Sequence, residues 1–148
     1  ILLSRTGRDQ EAASLLREVL DAYPEQYDAA YSLALLLVAS GDLDEALLYL
    51  DQAAGGLPDR PRIHYNRGLL LAQLGRDEDA EQALRNALRL EPESVDYLYG
   101  LIDFYARRNR LEEALELSRR LTEAHPGNQL GYILRDAILE QIATLDRQ

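Results

Sequence analysis

The stretch PRIHYNRGLLLAQLGRDEDAEQALRNALRLEP, from Pro61 to Pro92, contains two helical patterns that are separated by a glycine turn and ended by a proline. Gly75 tolerates a left-handed backbone, and Pro92 cannot continue a helix because it has no amide hydrogen. Apolar residues recur at intervals of three and four on both sides of Gly75, which is the spacing of an amphipathic helix. The stretch therefore predicts a helix–turn–helix unit.

The same pattern of turn and helix-ending residues recurs along the whole chain with a period of 34 residues. Turn residues, small residues and prolines each form a column at this period. The columns are Gly7, Gly41, Gly75 and Asn109; Ala12, Ala46, Ala80 and Ala114; and Pro24, Pro58, Pro92 and Pro126. Self-similarity at a fixed period of this length predicts a stacked array of helical repeats.

The repeating unit resembles the tetratricopeptide repeat, a helix–turn–helix of the same length. At the positions of the family pattern, the unit that begins at Pro61 has His64, Arg67, Gly68, Leu71, Gly75, Ala80, Leu84, Ala87 and Pro92. The unit departs from the family pattern at His64, where there is no Trp, and at Arg67, where the family usually has Leu. The resemblance implies an all-α, right-handed superhelical solenoid of antiparallel helix pairs.

The repeat register divides residues 1–148 as one domain. It consists of a half repeat at 1–26, full repeats at 27–60, 61–94 and 95–128, and a terminal helix at 129–148. In the half repeat we expect the stump of a helix over Ile1–Thr6, a turn at Gly7 and a helix over Arg8–Ala22. Since the chain starts in mid-repeat, we expect a fragment of a larger bacterial protein.

Two further features of the array follow from the register. Gly55 and Gly56 are expected to end the helix that starts at Leu43 early and to form a soft joint, because glycine loses the most freedom on ordering. The helix over 129–145 resembles the solvating helix that closes such arrays, although its residues Ile133 and Ile138 are apolar for a solvent face. Either this helix caps the array or a further repeat follows in the parent chain.

Composition excludes several classes of function. The net charge is −10, whereas nucleic-acid binding needs a concentrated basic surface. The chain has no Cys, so it has neither a disulfide framework nor a thiolate metal site. No apolar run reaches the roughly 18 residues of a membrane span, and the first residues do not resemble a signal peptide. Both a cytoplasmic and a periplasmic location remain open.

No residue pattern indicates catalysis. There is no Gly-rich phosphate loop and no Cys nucleophile. His64 and His125 lie about two repeats apart with no companion His, so a histidine metal site is not expected. The acidic cluster from Asp77 to Asp79 is typical of a helix start, where carboxylates favour the positive end of the helix dipole. We therefore expect no enzyme activity, no catalytic residue, no metal and no cofactor.

The resemblance implies a binding surface, because ligand peptides in this family usually lie in the concave groove lined by the first helix of each repeat. The residues of this chain at the groove positions include Tyr31, Arg62, Tyr65, Asn66, Tyr99, Asp103 and Arg107. The tyrosines provide one large amphipathic side chain per repeat, a residue type common at binding hot spots. They either contact the ligand or cover the seam between repeats. Asn66 is the expected polar anchor.

The groove residues also narrow the choice of partner. Chaperone-binding members of the family hold a peptide carboxylate with Lys and Asn, where this chain has Tyr and either Leu or Asp. Binding of chaperone tails is therefore not expected. The acidic residues Asp28, Asp96 and Asp103 favour a neutral or basic protein segment.

The expected function is that of a protein–protein interaction scaffold or adaptor. Two alternatives remain open. The array is a recruitment arm of an enzyme or cofactor protein of the glycosyltransferase or multi-haem cytochrome type, or it is a structural module. In the second alternative, weak homo-oligomers form through the array ends, where Ile1, Leu2, Leu3 and the terminal helix present apolar residues.

Overall fold

The structure, a computed structural model, describes residues 2–148 and the side chains from residue 7 onward. This part of the chain is entirely helical apart from its turns and loops. Its eight helices are α1 (Leu2–Ala22), α2 (Tyr27–Ser40), α3 (Leu43–Gly56), α4 (Pro61–Gln73), α5 (Asp77–Leu90), α6 (Val95–Arg107), α7 (Leu111–Ala124) and α8 (Gln129–Leu145). Each helix packs chiefly against its neighbours in sequence. The predicted solenoid of antiparallel helix pairs is confirmed.

Small residues allow the helices of a pair to approach closely. Ala46, Ala80 and Ala114 are completely buried. A Cβ atom added to Gly68 would lie only 2.7 Å from the Cγ atom of Leu84, so α4 approaches α5 too closely for a larger residue. The leucines and aromatic residues around these contacts form one continuous core along the array. The columns of small residues therefore set the spacing of the helices, as the sequence predicts.

The turns within the helix pairs have the predicted backbone conformation. Gly41 has a φ of 89° and Gly75 a φ of 76°, both in the left-handed region. Asn109 occupies the same repeat position with a φ of 58°. Asn tolerates this conformation better than other residues with a side chain, so it can replace Gly at this turn. In each repeat, the proline of the predicted column stands two residues after the end of the second helix.

The turn predicted at Gly7 is wrong, because α1 continues through this residue as a single helix. A Cβ atom added to Gly7 would meet nothing within 4 Å. Glycine permits a left-handed backbone without imposing one, so the residue does not by itself end a helix. Ile1 lies outside the described residues, as do the side chains of residues 2–6 that the sequence assigns to a helix stump and an apolar end.

The early helix end predicted at Gly55 and Gly56 is also wrong. Helix α3 includes both glycines and has 14 residues, the same length as α5 and α7. A Cβ atom added to Gly56 would lie 2.2 Å from the Cγ atom of Tyr27. Gly56 is therefore the place where the ring of Tyr27, at the start of α2, rests on the last turn of α3. This glycine makes room for a tertiary contact within the helix.

Helix α8 packs against α7 and exposes a mixed face. Its first turn is capped by Asn128, whose Oδ1 accepts a hydrogen bond of 3.0 Å from the amide of Leu130. Arg135 donates to Asp136 at 2.8 Å, and its guanidinium lies 5.4 Å from the ring centre of Tyr132. Ile133 is 60% exposed. Among the described residues, no helix combines the length and the apolar character that a membrane span requires.

Candidate functional site

The predicted groove residues lie on α2, α4 and α6, the first helices of the three full repeats. We call the surface they form, with Leu35 and Leu69, the A-helix face. The Asn66 amide on α4 donates a hydrogen bond of 2.6 Å to the hydroxyl of Tyr31 on α2. The residue expected to anchor a ligand therefore holds two neighbouring repeats together.

Arg62 makes a similar connection between α4 and α6. Its guanidinium donates to Asp96 at 3.1 Å and lies 5.6 Å from the ring centre of Tyr65 and 5.3 Å from that of Tyr97. The two rings are 5.1 Å apart and tilted by 49°. The hydrogen bond that Arg62 donates to Asp96 raises the pKa of Arg62, and burial raises the pKa of both tyrosines. Arg62 is thus bound by a carboxylate and two aromatic rings of its own chain.

Tyr31, Tyr65 and Tyr99, which the sequence places at the same position of successive repeats, are not equivalent in the structure. Tyr31 and Tyr65 are half-buried and pack against the protein core. The ring of Tyr65 lies against Gly100 of α6, where an added Cβ atom would be 2.5 Å from the Tyr65 Cε2 atom. Tyr99 is 41% exposed. Tyr31 and Tyr65 therefore cover the seams between repeats, and Tyr99 is the tyrosine of the three that is open to a ligand.

The acidic residues of this face all have arginine partners. Asp28 accepts a hydrogen bond of 3.0 Å from Arg60, and Asp103 accepts one of 2.7 Å from Arg107. Asp96 is paired with Arg62 as described above. The negative charge that the sequence suggested for this face is therefore largely compensated within the chain, and the preference for a neutral or basic partner stays a prediction.

Apolar residues are also exposed on the A-helix face. Leu35 on α2 is 41% exposed and Leu69, at the same position in the next repeat, is 42% exposed. Beside Leu69 a small cavity of about 300 Å³ lies between α4 and α6, with Phe104 in its wall and Asp103 and Arg107 also lining it. Such a surface can bury an aliphatic or aromatic side chain of another molecule.

Both histidines contact backbone carbonyl groups. The Nε2 atom of His64 lies 2.7 Å from the carbonyl oxygen of Pro58, and that of His125 lies 2.5 Å from the carbonyl oxygen of Glu93. Within residues 7–148, where side chains are described, no group of three His, Cys, Asp or Glu is arranged to hold a metal ion.

A polar network between α5, α6 and α7 is a feature that the sequence analysis missed. The Tyr105 hydroxyl donates to Glu81 at 2.7 Å and accepts from Arg85 at 2.9 Å. Arg110 donates to Glu81 at 2.5 Å and to Glu113 at 2.9 Å. These five residues are the Glu81 network. The hydrogen bond from Arg110 lowers the pKa of Glu81, and burial raises the pKa of Tyr105.

The Glu81 network joins three helices and its members satisfy one another. The guanidinium of Arg110 also lies 4.6 Å from the ring centre of Tyr105. A signal for the network was present in the sequence: Tyr105 and Glu81 stand where the preceding repeat has Leu71 and Leu47. Polar groups at two apolar repeat positions indicate that they meet each other across the interface.

An extended row of helix pairs with left-handed turns and an uninterrupted core defines a helical-repeat protein. Sequence profiles described as "Tetratricopeptide repeat" match residues 65–129 in one case, and residues 6–74 and 37–85 in another. The chain belongs to the tetratricopeptide repeat family, whose members are typically non-catalytic.

Curated relatives and solved structures agree with this family. The chain is 36% identical over 96 residues to the cellulose synthase operon protein C of Xanthomonas axonopodis pv. citri, covering 65% of this chain and 6% of that protein. It is 22% identical over 133 residues to the mouse interferon-induced protein with tetratricopeptide repeats 3, covering 88% of this chain and 33% of that protein. The chain thus spans a minor part of the length of these relatives.

The fold is shared with crystal structures of low sequence identity. The MamA structure superposes with a TM-score of 0.84 at 20% identity, covering 97% of this chain and 84% of that one. The structure of YrrB, described as a TPR protein with an unusual peptide-binding site, superposes with a TM-score of 0.78 at 20% identity, covering 96% of this chain and 73% of that one.

Proposed function

We propose that this chain is a protein-interaction module, a scaffold or adaptor that binds a segment of a partner protein across the A-helix face. Tetratricopeptide repeat domains generally bind proteins. The observation that carries the proposal is the exposure of Leu35, Leu69 and Tyr99, each about two-fifths exposed, one on each of the three first helices. A partner that covers them removes apolar surface from water.

The charges around these residues favour a partner segment that is neutral or basic. The carboxylates of the face are paired with arginines, so binding does not require an opposite charge at each of them. The chain as a whole carries a net charge of −10, which disfavours the approach of an acidic segment. Apolar contact then provides most of the affinity, and charge provides selectivity.

The proposal is tested by affinity capture from the source organism's lysate, with a folded triple variant Leu35→Ser, Leu69→Ser and Tyr99→Ser. We expect the partner to be retained by the wild type and lost by the variant, because the anchors of an interface dominate its binding energy. The matched control is Leu48→Ser, since Leu48 on α3 is 68% exposed but lies outside the A-helix face. Equal retention by the triple variant and the control would contradict the proposal.

A second candidate is a repeat segment of a larger protein that recruits a polysaccharide-forming enzyme. Two matches favour it: the Xanthomonas protein described above, and the cellulose synthase operon protein C of Komagataeibacter xylinus, 38% identical over 64 residues. The test is to determine the full-length sequence of the parent gene and to identify the genes beside it. A cellulose synthase gene beside it, or an adjoining catalytic domain, supports this candidate, and a neighbourhood without either contradicts it.

A further inference from the structure

A groove of about 770 Å³ lies between α5 and α7, on a part of the surface that shares no residue with the A-helix face. Leu88, Leu101 and Leu117 form its apolar floor. Arg89 and Glu112 stand on opposite sides, one on α5 and the other on α7. We call this surface the α5–α7 groove. Its volume falls within the range of roughly 300–1,000 Å³ that is usual for ligand pockets.

In the first repeat interface, an ion pair spans the equivalent surface. Arg17 of α1 donates two hydrogen bonds to Glu45 of α3, at 3.0 and 3.1 Å. Two repeats later the same positions hold Arg85 and Glu113. These two do not pair with each other, because Arg85 binds Glu81 and Tyr105 while Glu113 binds Arg110. The Glu81 network thus removes the bridge that would cross the groove.

In the second repeat interface, a long side chain occupies the equivalent floor. Arg67 of α4 donates to Asp51 of α3 at 2.6 Å, and its side chain is only 27% exposed. The residue at this position one repeat later is Leu101. The shorter, apolar side chain does not fill the α5–α7 groove as Arg67 fills the equivalent surface.

The two walls carry opposite charges that are available to a ligand. Arg89 and Glu112 have no ion-pair partner within the part of the chain whose side chains are described. Arg120, at the end of the groove, donates to the carbonyl oxygen of Pro92 at 3.3 Å. Glu116 is 3.8 Å from Arg119, which is a weak pairing. The groove therefore combines an apolar floor with a cationic wall on α5 and an anionic wall on α7.

We propose that the α5–α7 groove is a second binding site, which takes an amphipathic helical segment of a partner protein. An apolar side chain of the segment sits on the leucine floor. An acidic residue on one edge of the segment pairs with Arg89, and a basic residue on the other edge pairs with Glu112. This charge complementarity specifies the occupant, since a segment with two like-charged edges would face one wall of its own sign.

The probe for the test is a synthetic 14-residue helical peptide with leucines on one face, glutamates along one edge and lysines along the other. It is titrated into the protein with labelled leucine methyl groups, observed by NMR. We expect the largest shifts at Leu88, Leu101 and Leu117, and unchanged signals at Leu35 and Leu69. Shifts confined to Leu35 and Leu69, or no shifts at about 1 mM peptide, would overturn the proposal.

Charge reversal tests the two walls separately. Arg89 and Glu112 are exposed, so their replacement leaves the core intact. Arg89→Glu and Glu112→Arg are each expected to weaken peptide binding about two- to fivefold. In the double variant the charges at these two positions are exchanged, so a peptide bound in the opposite direction meets complementary charges there and the affinity recovers. Equal affinity for all four proteins would show that the charges play no part.

The triple variant Leu35→Ser, Leu69→Ser and Tyr99→Ser serves as the control that separates this site from the A-helix face. It is expected to bind the peptide as the wild type does, even if it has lost a partner on the other surface. Loss of peptide binding in this variant would place the peptide on the A-helix face and refute the second site.

Discussion

Two successive repeat interfaces use the same backbone arrangement with opposite chemistry. Between repeats 27–60 and 61–94 the array has Leu47 on α3 and Leu71 on α4, which are 7% and 0% exposed. One repeat later, the equivalent positions hold Glu81 and Tyr105, with 20% of the Glu81 side chain and 2% of Tyr105 exposed. A repeat interface thus accepts a polar pair in place of an apolar one when the polar groups of that pair have hydrogen-bond partners.

The difference changes what each interface depends on. The interface with Leu71 is stabilised by the removal of apolar surface from water, and neither leucine side chain can gain or lose a proton. The interface with Glu81 is stabilised by hydrogen bonds to charged groups, which are individually strong but fail when one partner is removed. Substitutions at the two interfaces should therefore change the free energy of unfolding by different amounts, and these changes should depend differently on pH.

The largest effect is expected at the apolar interface. Leu71→Ala leaves a cavity in a fully buried position and should lower the free energy of unfolding by about 2–5 kcal/mol. The measurement is the urea denaturation curve followed by circular dichroism. Leu48→Ala, at a position that is 68% exposed, is the control and should change stability by no more than about 0.5 kcal/mol. A similar loss for both variants would contradict the assigned core.

A smaller effect is expected at the polar interface. Glu81→Gln keeps the shape of the side chain but removes the charge that Arg85 and Arg110 share. The free energy of unfolding should fall by about 1.5–3 kcal/mol, the usual contribution of a hydrogen bond to a charged group. Glu123→Gln, an exposed change on α7, is the matched control. If both variants unfold at the same urea concentration, the Glu81 network contributes nothing to stability.

The fold could be predicted from the sequence because each marker column reports a local requirement. A left-handed turn needs Gly or Asn, and a close helix contact needs a small residue, whatever the rest of the chain does. The predictions at Gly7 and Gly56 failed for the converse reason. Glycine has no side chain to specify a role, so the same residue lies inside a helix at Gly7 and beneath the ring of Tyr27 at Gly56.

The A-helix face could be predicted only in part. The repeat register placed its residues on the right helices, because register depends on the periodicity of a single chain. The bonds between Asn66 and Tyr31 and between Arg62 and Asp96 join different repeats. Such contacts depend on side-chain rotamers and on the rotation of one helix pair relative to the next, which periodicity does not report.

The smallest expected effect is a loss of folding stability in acid. It distinguishes the two interfaces most directly, because the polar one contains a carboxyl group with a lowered pKa where the apolar one has a leucine. Arg110 holds the pKa of Glu81 below its ordinary value of 4.5. A carboxyl group with a lowered folded-state pKa contributes stability that is complete above its unfolded-state pKa and is lost as the pH falls through the folded-state value. Between pH 7 and pH 3 the wild type should therefore lose more stability than Glu81→Gln, by about 0.2–1 kcal/mol, as for partly exposed ion pairs.

The comparison needs the Glu123→Gln control, which should lose as much stability in acid as the wild type. The pKa values of Asp77 and Glu113 are also lowered, by Arg108 and Arg110 respectively, so part of the acid sensitivity must remain in every variant. The contribution of Glu81 is therefore the difference between two stability losses in acid, that of the wild type and that of Glu81→Gln. Both are measured as shifts of the urea denaturation midpoint with pH. Identical losses in the wild type and in Glu81→Gln would mean that the polar interface is held by packing, as the apolar one is.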